Sequence, residues 1–291
     1  MNDVIALDSA WIAGNPLPVH GGGTDKNSRG RVLAIGGSAL SPGALRLTAE
    51  AALRVGAGKV QMATLVSIAL SLGLLVPEAG VLALPERAGE IGPLNGELDE
   101  AFAGADTVVI GPGIVSSDAA AAVISRAQKM VGGDARLVLD AAAIAAAGTL
   151  RRDVTLPSGR LVMTPHHGEM AALTGRSIDD IAADPAAAAR AAAQDFGAVV
   201  VLKSSDTLVA APDGTLLAYA GGGVGLATGG SGDVLAGVIA GLLSRGADPI
   251  VAAGWGVWLH GHSGRRMASR HGPIGFLARE LLTEIPLLLP Q

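Results

Sequence analysis

The chain of 291 residues has no cysteine, few aromatic residues and few charged ones. Without cysteine it forms no disulfide, no thiolate metal site and no cysteine nucleophile. Aromatic residues make up 2% of the sequence, so we expect a core of Ala, Val, Leu and Ile, with Gly at close approaches. The net charge is −5 and no long basic run occurs, which disfavours nucleic acid as a partner.

Signals for export and membrane insertion are also lacking. The N-terminal MNDVIALDSAW carries acids where a signal peptide needs positive charge. The most membrane-like stretch, residues 65–84, is interrupted by Pro77, Glu78 and two glycines. A buried helix running into a strand explains this stretch better than a transmembrane helix does. We therefore expect a soluble, cytoplasmic protein with no membrane partner.

Short apolar runs alternate along the chain with alanine-rich stretches of helical spacing. The strand candidates are residues 31–37, 59–64, 80–84, 107–113, 136–141, 161–165 and 198–203, followed by a hairpin over 207–220. The helix candidates are residues 43–55, 118–131, 168–174, 185–196, 234–246, 249–268 and a final segment near 275–289. This pattern predicts an α/β fold with a mostly parallel central sheet covered on both faces by helices. No linker, repeat or charge block interrupts the sequence, so we expect one domain over residues 1–291.

In such a sheet, ligands bind at the carboxyl ends of the strands. Six predicted strand ends are polar or glycine-rich, namely residues 36–38, 111–113, 140, 165–169, 203–205 and 225–237. Asp140 is either an acid on the phosphate side of a site or a structural group bonded to nearby amides, and the sequence leaves both open.

The segment Gly229-Gly230-Ser231-Gly232-Asp233 comes directly before an apolar helix. Free N–H groups at a helix N-terminus bind anions, and glycines let a phosphate approach the backbone. Asp233 is then either a helix cap contributing about 1 kcal/mol or a general base for a hydroxyl that attacks phosphorus. The P-loop motif and the G-x-G-x-x-G motif are both absent, which disfavours a P-loop NTPase and the common dinucleotide-binding fold.

Residues 227–233, Ala-Thr-Gly-Gly-Ser-Gly-Asp, resemble the anion-hole and catalytic-base motif of ribokinase-like kinases. An ordered set of segments over nearly the whole chain resembles one branch of that superfamily, the ADP/ATP-dependent NAD(P)H-hydrate dehydratases. The set comprises DKNSRGRVLAIGGS (25–38), PGALRLTAEAALRVGAGKV (42–60), VPEAGV (76–81), VIGPGI (109–114), LVLDAAAI (137–144), MTPHHGEMAALTG (163–175), VVLKSSDTLVAAPDG (200–214), GLATGGSGDVLAGVIAGLL (225–243) and LHGHSG (259–264).

The resemblance implies a ribokinase-like three-layer α/β/α sandwich and a role in nicotinamide cofactor repair. Such enzymes use ADP or ATP, with Mg²⁺, to phosphorylate the ring hydroxyl of the S form of hydrated NADH or NADPH. Phosphate then leaves and the ring double bond returns. The resemblance also implies assembly as a homo-oligomer, and we expect no fused epimerase domain in this chain.

The resemblance assigns roles to particular residues. Asp233 would be the base, and the backbone of Gly230, Ser231 and Gly232 would stabilise the transferring phosphoryl group. The hydrate would contact Ala44, Gly113, His166 and Asp233. The adenine nucleotide would contact Lys203, Ser204, Ser205, Asp206, Thr207 and Gly232. The His166-x-x-Glu169 spacing matches a motif that supports magnesium in ribokinase-like proteins, so Glu169 is the candidate that holds Mg²⁺ through water.

The sequence departs from the family pattern at four places. Ala142 replaces a second acid, Gly222-Gly223-Val224-Gly225 replaces Gly-Asn-Pro-Gly, His167 replaces a proline and Ser204 replaces a glycine. These departures leave two other functions open, a related small-molecule kinase and a non-catalytic protein that binds adenine nucleotide. His260 and His262 stand two residues apart on a predicted helix and so point to different faces, which favours packing or capping over a shared metal.

Overall fold

The computed structural model describes residues 4–19, 21, 25–26, 28–151 and 159–290. Its strands are β1 (Val4–Ala6), β2 (Arg31–Ile35), β3 (Lys59–Leu65), β4 (Gly80–Leu84), β5 (Glu86–Arg87), β6 (Glu90–Ile91), β7 (Thr107–Ile110), β8 (Arg136–Leu139), β9 (Leu161–Met163), β10 (Val199–Leu202), β11 (Asp206–Ala210) and β12 (Leu216–Ala220). Its α-helices are α1 (Ser9–Gly14), α2 (Ala44–Arg54), α3 (Val66–Leu75), α4 (Asp99–Gly104), α5 (Ser117–Met130), α6 (Ala142–Leu150), α7 (His167–Thr174), α8 (Ile178–Ala183), α9 (Pro185–Phe196), α10 (Ser231–Ser244), α11 (Pro249–His271) and α12 (Ala278–Glu284). Short 3₁₀ helices cover Val224–Leu226 and Ile285–Leu288.

The described residues form one ten-stranded sheet in the order β1-β12-β11-β10-β9-β8-β7-β2-β3-β4, and β5 pairs with β6 in a small separate ribbon. Within the large sheet, β11 runs antiparallel to β10 and β12, and the other neighbours are parallel. Strands β7 and β10 are buried at every residue. Continuous apolar strands of this kind need cover on both faces of the sheet.

Helices cover both faces of the large sheet. Alternate residues of β2 point to opposite sides, because Val32 and Ala34 join one core while Leu33 and Ile35 join the other. The first core is closed by α1, α2, α3, α10, α11 and α12. The second core is closed by α4 to α9. The predicted three-layer α/β fold with a mostly parallel sheet is therefore confirmed.

The prediction for residues 65–84 is correct in secondary structure and wrong in burial. Helix α3 does run into strand β4, but Val66, Leu70 and Leu74 are 60%, 78% and 75% exposed. Strand β4 lies at the edge of the sheet, so α3 has neighbours on one side, where Ala69 and Leu72 are buried. Across the described part of the chain, no helix combines the length and the apolar character needed to cross a bilayer.

Helices α2 and α10 pack closely because α10 has glycine at Gly237 and Gly241. A Cβ added to Gly237 would lie 2.2 Å from the carbonyl oxygen of Thr48 and 2.8 Å from the Cβ of Ala51. A Cβ added to Gly241 would lie 2.4 Å from Cγ2 of Val55. This close approach also lets the Thr48 hydroxyl donate to the carbonyl oxygen of Asp233 at 3.1 Å. The two glycines thus bring the start of α10 against α2.

Replacement of Gly237 by Ala should lower the free energy of unfolding by about 1–3 kcal/mol, because the methyl group overpacks a backbone contact that cannot move aside. Urea unfolding measures the change. Gly104→Ala is the matched control, since nothing lies within 4 Å of a Cβ at that helical glycine. The control should be neutral or stabilise the protein by up to about 1 kcal/mol. Equal effects of the two substitutions would contradict the close packing of α2 and α10.

Candidate active site

The carboxyl ends of five neighbouring strands and the start of α10 meet in one region. The turn after β2 contacts the turn after β7, where a Cβ added to Gly36 would lie 2.0 Å from the carbonyl oxygen of Pro112. A Cβ added to Gly111 would lie 1.8 Å from the carbonyl oxygen of Asp140, at the end of β8. Beyond β9 and β10, His166 and Lys203 form a parallel bridge. The predicted strand ends are therefore brought together.

Asp233 does not cap α10, so the structure excludes one of the two interpretations of this residue. The N-cap is Gly230, whose φ of +89° lies in the left-handed region, and no side chain forms a cap bond there. Asp233 is instead the third helical residue, so its carboxylate lies in the first turn beside free N–H groups. A Cβ added to Gly230 would also lie 2.5 Å from Cδ1 of Leu47. The left-handed conformation therefore favours glycine at Gly230, and a larger side chain would also have to displace the end of Leu47.

Lys203 lies among carboxylates beside this turn. Its Nζ is 2.9 Å from Oδ1 of Asp140 and 3.4 Å from Oε2 of Glu169. Asp140 is 3% exposed, and its Oδ1 also accepts a hydrogen bond from the Thr164 hydroxyl at 2.7 Å. A Cβ added to Gly232 would lie 3.4 Å from the Lys203 Nζ. The ammonium group is therefore adjacent to the backbone of the predicted anion hole.

The titration of Lys203 and Asp233 follows from this geometry. Burial lowers the pKa of Lys203, but the Asp140 and Glu169 carboxylates outweigh burial and the net pKa is raised. Burial, followed by the charge of Asp140, raises the pKa of Asp233 to about 7, although Lys203 partly offsets the rise. A carboxylate that titrates near neutral pH is suited to accept a proton at physiological pH.

His166 and Glu169 form a capping box at the start of α7. Glu169 N–H donates to Nδ1 of His166 at 3.1 Å, and His166 N–H donates to Oε2 of Glu169 at 2.7 Å. The three-residue spacing therefore has a structural role, and Glu169 also pairs with Lys203. The His166 side chain is 60% exposed, so it remains accessible to a ligand.

The donor set suits magnesium bound loosely rather than in a cage of side chains. Among the described residues, no three His, Asp or Glu side chains are grouped so that they could hold a metal ion. Asp140 uses its Oδ1 for Lys203 and Thr164. Mg²⁺ commonly takes one or two carboxylates, several waters and substrate phosphates, and the residues present fit that arrangement.

Two of the residues predicted to bind the hydrate, Ala44 and Gly113, also meet. Gly113 has a φ of +76°, and a Cβ there would lie 3.0 Å from the Cβ of Ala44 and 2.6 Å from the carbonyl oxygen of Ser41. Thr48 lies one turn after Ala44 on α2 and connects that helix to Asp233. Ala44 and Gly113 are thus in contact, and both are linked to the first turn of α10.

After Lys203, Ser204 and Ser205 connect β10 to β11, and Asp206 and Thr207 begin β11. The Ser204 hydroxyl donates to the carbonyl oxygen of Asp206 at 2.6 Å, and the Thr207 hydroxyl donates to that of Ser204 at 3.2 Å. Ser204, Ser205 and Asp206 are exposed. The predicted nucleotide segment is therefore a folded turn at the edge of the site, and its contact with nucleotide stays a prediction.

The segment 222–225, which departs from the family pattern, has a backbone conformation that suits glycine. Gly223 has φ +86° and ψ 156°, a combination that is essentially restricted to glycine. Val224 follows and begins a 3₁₀ helix. A Cβ added to Gly225 would lie 2.3 Å from Cε1 of Phe276. Glycine at Gly223, where the family pattern has Asn, therefore fits the conformation of this chain.

Three residues of the site were not assigned a role from the sequence. Thr48 and Thr164 lie within family segments, but their contacts depend on packing between distant parts of the chain. His260 was expected to pack or cap, yet its Nε2 lies 2.9 Å from the Ser231 hydroxyl at the start of α10. His262 does pack, since its ring stacks on Trp258 with centroids 4.0 Å apart. The histidine pair therefore diverges, as the spacing predicted.

Comparison with known proteins identifies the family of this chain. Residues 32–287 match the family model described as NAD(P)H-hydrate dehydratase. The chain is 47% identical to an ADP-dependent (S)-NAD(P)H-hydrate dehydratase of Xanthomonas campestris, over 99% of this chain and 97% of that protein. It spans about half the length of the bifunctional NAD(P)H-hydrate repair enzymes that it also matches, for example 53% of one at 38% identity.

Solved structures give the same answer for the fold. An ADP/ATP-dependent NAD(P)H-hydrate dehydratase from Bacillus subtilis, co-crystallised with ATP and Mg²⁺, superimposes with a TM-score of 0.81 at 28% identity, covering 99% of this chain and 98% of that one. Ribokinase from Thermotoga maritima superimposes with a TM-score of 0.52 at 15% identity, over 88% of this chain and 99% of that one, and shows the ribokinase-like fold alone. The family model matches most of this chain, and the Xanthomonas relative is 47% identical to it. This chain, with Asp233 at its glycine-rich helix start, therefore belongs to the NAD(P)H-hydrate dehydratase family.

Proposed function

We propose that the protein is an ADP-dependent dehydratase that returns the S form of hydrated NADH or NADPH to the intact cofactor. The substrate class follows the name of the 47% identical Xanthomonas enzyme. The observation that carries the chemistry is Asp233, whose pKa is raised by burial to about 7 in the first turn of α10. That carboxylate and the adjacent backbone N–H groups supply a base and an anion-binding turn in one place.

In the first step, Asp233 accepts the proton of the ring hydroxyl while that oxygen attacks the β-phosphorus of ADP. The bond from phosphorus to the AMP oxygen breaks as the new bond forms. The N–H groups of Gly230, Ser231 and Gly232 donate to the transferring phosphoryl group, and each such donor contributes roughly 3–4 kcal/mol of transition-state stabilisation. The Lys203 ammonium, adjacent to Gly232, adds positive charge on the same side.

In the second step, phosphate leaves the ring and takes the former hydroxyl oxygen with it. The ring nitrogen donates its lone pair to expel the phosphate, and a proton then leaves the adjacent ring carbon to restore the double bond. Hydroxide is a poor leaving group and phosphate a good one, which explains why a nucleotide is consumed. The products are the reduced cofactor, AMP, phosphate and a proton.

The two ligands meet around Asp233 in this proposal. Ala44, Gly113 and His166 contact the hydrate, while Lys203 to Thr207 and Gly232 contact the adenine nucleotide. Glu169, with Asp140, would hold Mg²⁺ through water, and the ion would neutralise charge on the nucleotide phosphates. Both carboxylates pair with Lys203, which this proposal assigns to the nucleotide, and this pairing supports a place for Mg²⁺ beside the nucleotide phosphates.

The test is incubation of the protein with Mg²⁺, ADP and hydrated NADH while the absorbance of the reduced nicotinamide ring is followed. Recovery of NADH with equimolar AMP and phosphate is expected. A stable phosphorylated product would instead indicate a small-molecule kinase. Nucleotide binding without turnover, with either ADP or ATP, would indicate a non-catalytic nucleotide-binding protein, and both results would contradict the proposal.

We also propose that the protein assembles as a homo-oligomer. The exposed apolar side chains of α3, including Leu70 and Leu74, are the feature that supports assembly, because contiguous apolar surface is uncommon on soluble monomers. Size-exclusion chromatography with light scattering should give a mass that is a multiple of 28.8 kDa. A monomeric mass at micromolar concentration would contradict assembly.

A further inference from the structure

A contact between α11 and the first residue of α10 anchors the glycine-rich turn. Nε2 of His260 lies 2.9 Å from Oγ of Ser231, the first residue of α10. Ser231 is 5% exposed, so its hydroxyl is turned into the protein. Its neighbours Gly230 and Gly232 have no side chains with which to anchor the turn. Ser231 is thus the side chain by which α11 can hold this backbone.

The imidazole of His260 is uncharged at neutral pH. Burial lowers its pKa to about 4, and the charge of Lys203 also lowers it. A neutral imidazole has one donor and one acceptor nitrogen, and a hydroxyl group can bond to either. The contact therefore orders Ser231 without placing a second cation beside Lys203.

We propose that His260 is a positioning residue, which acts through Ser231 to hold the first turn of α10 in the arrangement required for phosphoryl transfer. The inference rests on the proposed function, since it assigns a role within that same site. Thr48 holds the same turn from α2 through the carbonyl oxygen of Asp233. The turn is thereby held at two points, by Thr48 and by His260.

Glycine explains why a second anchor is needed. Gly229, Gly230 and Gly232 give this backbone more conformational freedom than other residues would. The N–H groups and the carboxylate must nevertheless stay within about 0.5 Å of the productive geometry. A misplacement of about 1 Å costs on the order of 100-fold in rate. Loss of the His260 contact should therefore lower the rate of the chemical step more than it weakens ligand binding.

The chain supplies a matched control on the same helix. His262 lies two residues further along α11, and its Nδ1 is 3.1 Å from the Tyr219 hydroxyl. Its ring stacks on Trp258. It is thus a hydrogen-bonded, partly buried histidine whose contacts lie away from Ser231. His262→Gln removes the same kind of side chain without touching the first turn of α10.

The test compares His260→Ala, His260→Gln, Ser231→Ala, the double variant His260→Ala/Ser231→Ala and His262→Gln. We expect His260→Ala and Ser231→Ala each to lower kcat by about 10- to 100-fold, with the KM for ADP changed by less than about threefold. The double variant should lose no more than the worse single variant, because both remove one contact. His260→Gln, whose amide can reach Oγ, should recover most of kcat, and His262→Gln should retain it.

A second measurement does not depend on turnover. The amide N–H of Val234 donates to the carbonyl oxygen of Gly230 at 3.1 Å, so its hydrogen exchange reports opening of the first turn. Exchange should be faster in His260→Ala than in wild type or His262→Gln. If the wild type is active, and His260→Ala has the same kcat and the same Val234 exchange as the wild type, the positioning role is overturned. An inactive wild type would overturn the proposed function, and Val234 exchange would still decide whether His260 holds the turn.

Discussion

Replacement of Asp233 by Asn is expected to lower kcat by about 100- to 10,000-fold, the range that general base catalysis contributes. The amide keeps the size of the side chain but cannot accept the hydroxyl proton. Steady-state recovery of NADH from the hydrate measures the loss. Asp248→Asn is the control, because Asp248 is exposed at the start of α11 and forms no cap bond. A variant at Asp233 with wild-type kcat would exclude Asp233 as the base.

The same substitution should stabilise the folded protein at alkaline pH. Because the pKa of Asp233 is raised from 3.8 to about 7, the folded state binds more protons than the unfolded state between those values. Stability contributed by this group therefore falls as pH rises from about 4 to about 7. The full cost above pH 7 is on the order of 4 kcal/mol, from about three pKa units at about 1.36 kcal/mol each.

Urea unfolding at several pH values checks this expectation. Asp233→Asn should be more stable than wild type at pH 8, and the difference should shrink towards zero near pH 4. A variant that is less stable than wild type at pH 8 would show that the Asp233 carboxylate is stabilised, not strained, by its surroundings. In the expected result, Asp233→Asn is more stable but less active than the wild type, a combination that is common at catalytic groups.

Replacement of Lys203 by Met should destabilise the protein by about 3–5 kcal/mol, because it leaves the buried Asp140 carboxylate without its cation. Asp140 is 3% exposed and its Oδ1 lies 2.9 Å from the Lys203 Nζ. Activity should be lost as well, since Lys203 lies beside the anion-binding turn. Urea unfolding at pH 7 measures the change in stability.

The double variant Lys203→Met/Asp140→Asn separates stability from chemistry. Removal of both charges should restore most of the lost stability, because the Asp140 position no longer holds an uncompensated buried charge. Activity should stay low, since the cation is still missing. If Lys203→Met alone is as stable as wild type, the ion pair is not what holds the ends of β8 and β10 together.

Much of the secondary structure could be predicted from the sequence, because each strand or helix is determined mainly by the residues within it. Strands β7 and β10 are short apolar runs, and α9 is an alanine-rich helix between Pro185 and Phe196. The burial of α3 was not accessible, because it depends on β4 being an edge strand, which only the order of the sheet determines. The prediction of a single domain over the whole chain stays a prediction.

The site was accessible where chemistry lies within one short segment. The glycines around Asp233 indicated an anion-binding turn, but the position of Asp233 in the first turn depends on Gly230 being the cap. The Lys203–Asp140 pair joins residues 63 positions apart, and Ser231 and His260 are 29 positions apart. Such contacts are set by which strands are neighbours and how the helices cross, so local patterns do not predict them.

The most direct test follows the oxygen atom of the ring hydroxyl. Hydrated NADH carrying ¹⁸O at that hydroxyl is converted by the wild-type protein with ADP and Mg²⁺, and the released phosphate is analysed by mass spectrometry. Transfer of the phosphoryl group to the hydroxyl predicts one ¹⁸O atom in each phosphate, with one phosphate for each NADH. Unlabelled phosphate together with ¹⁸O in water would show direct dehydration and would contradict the role assigned to Asp233.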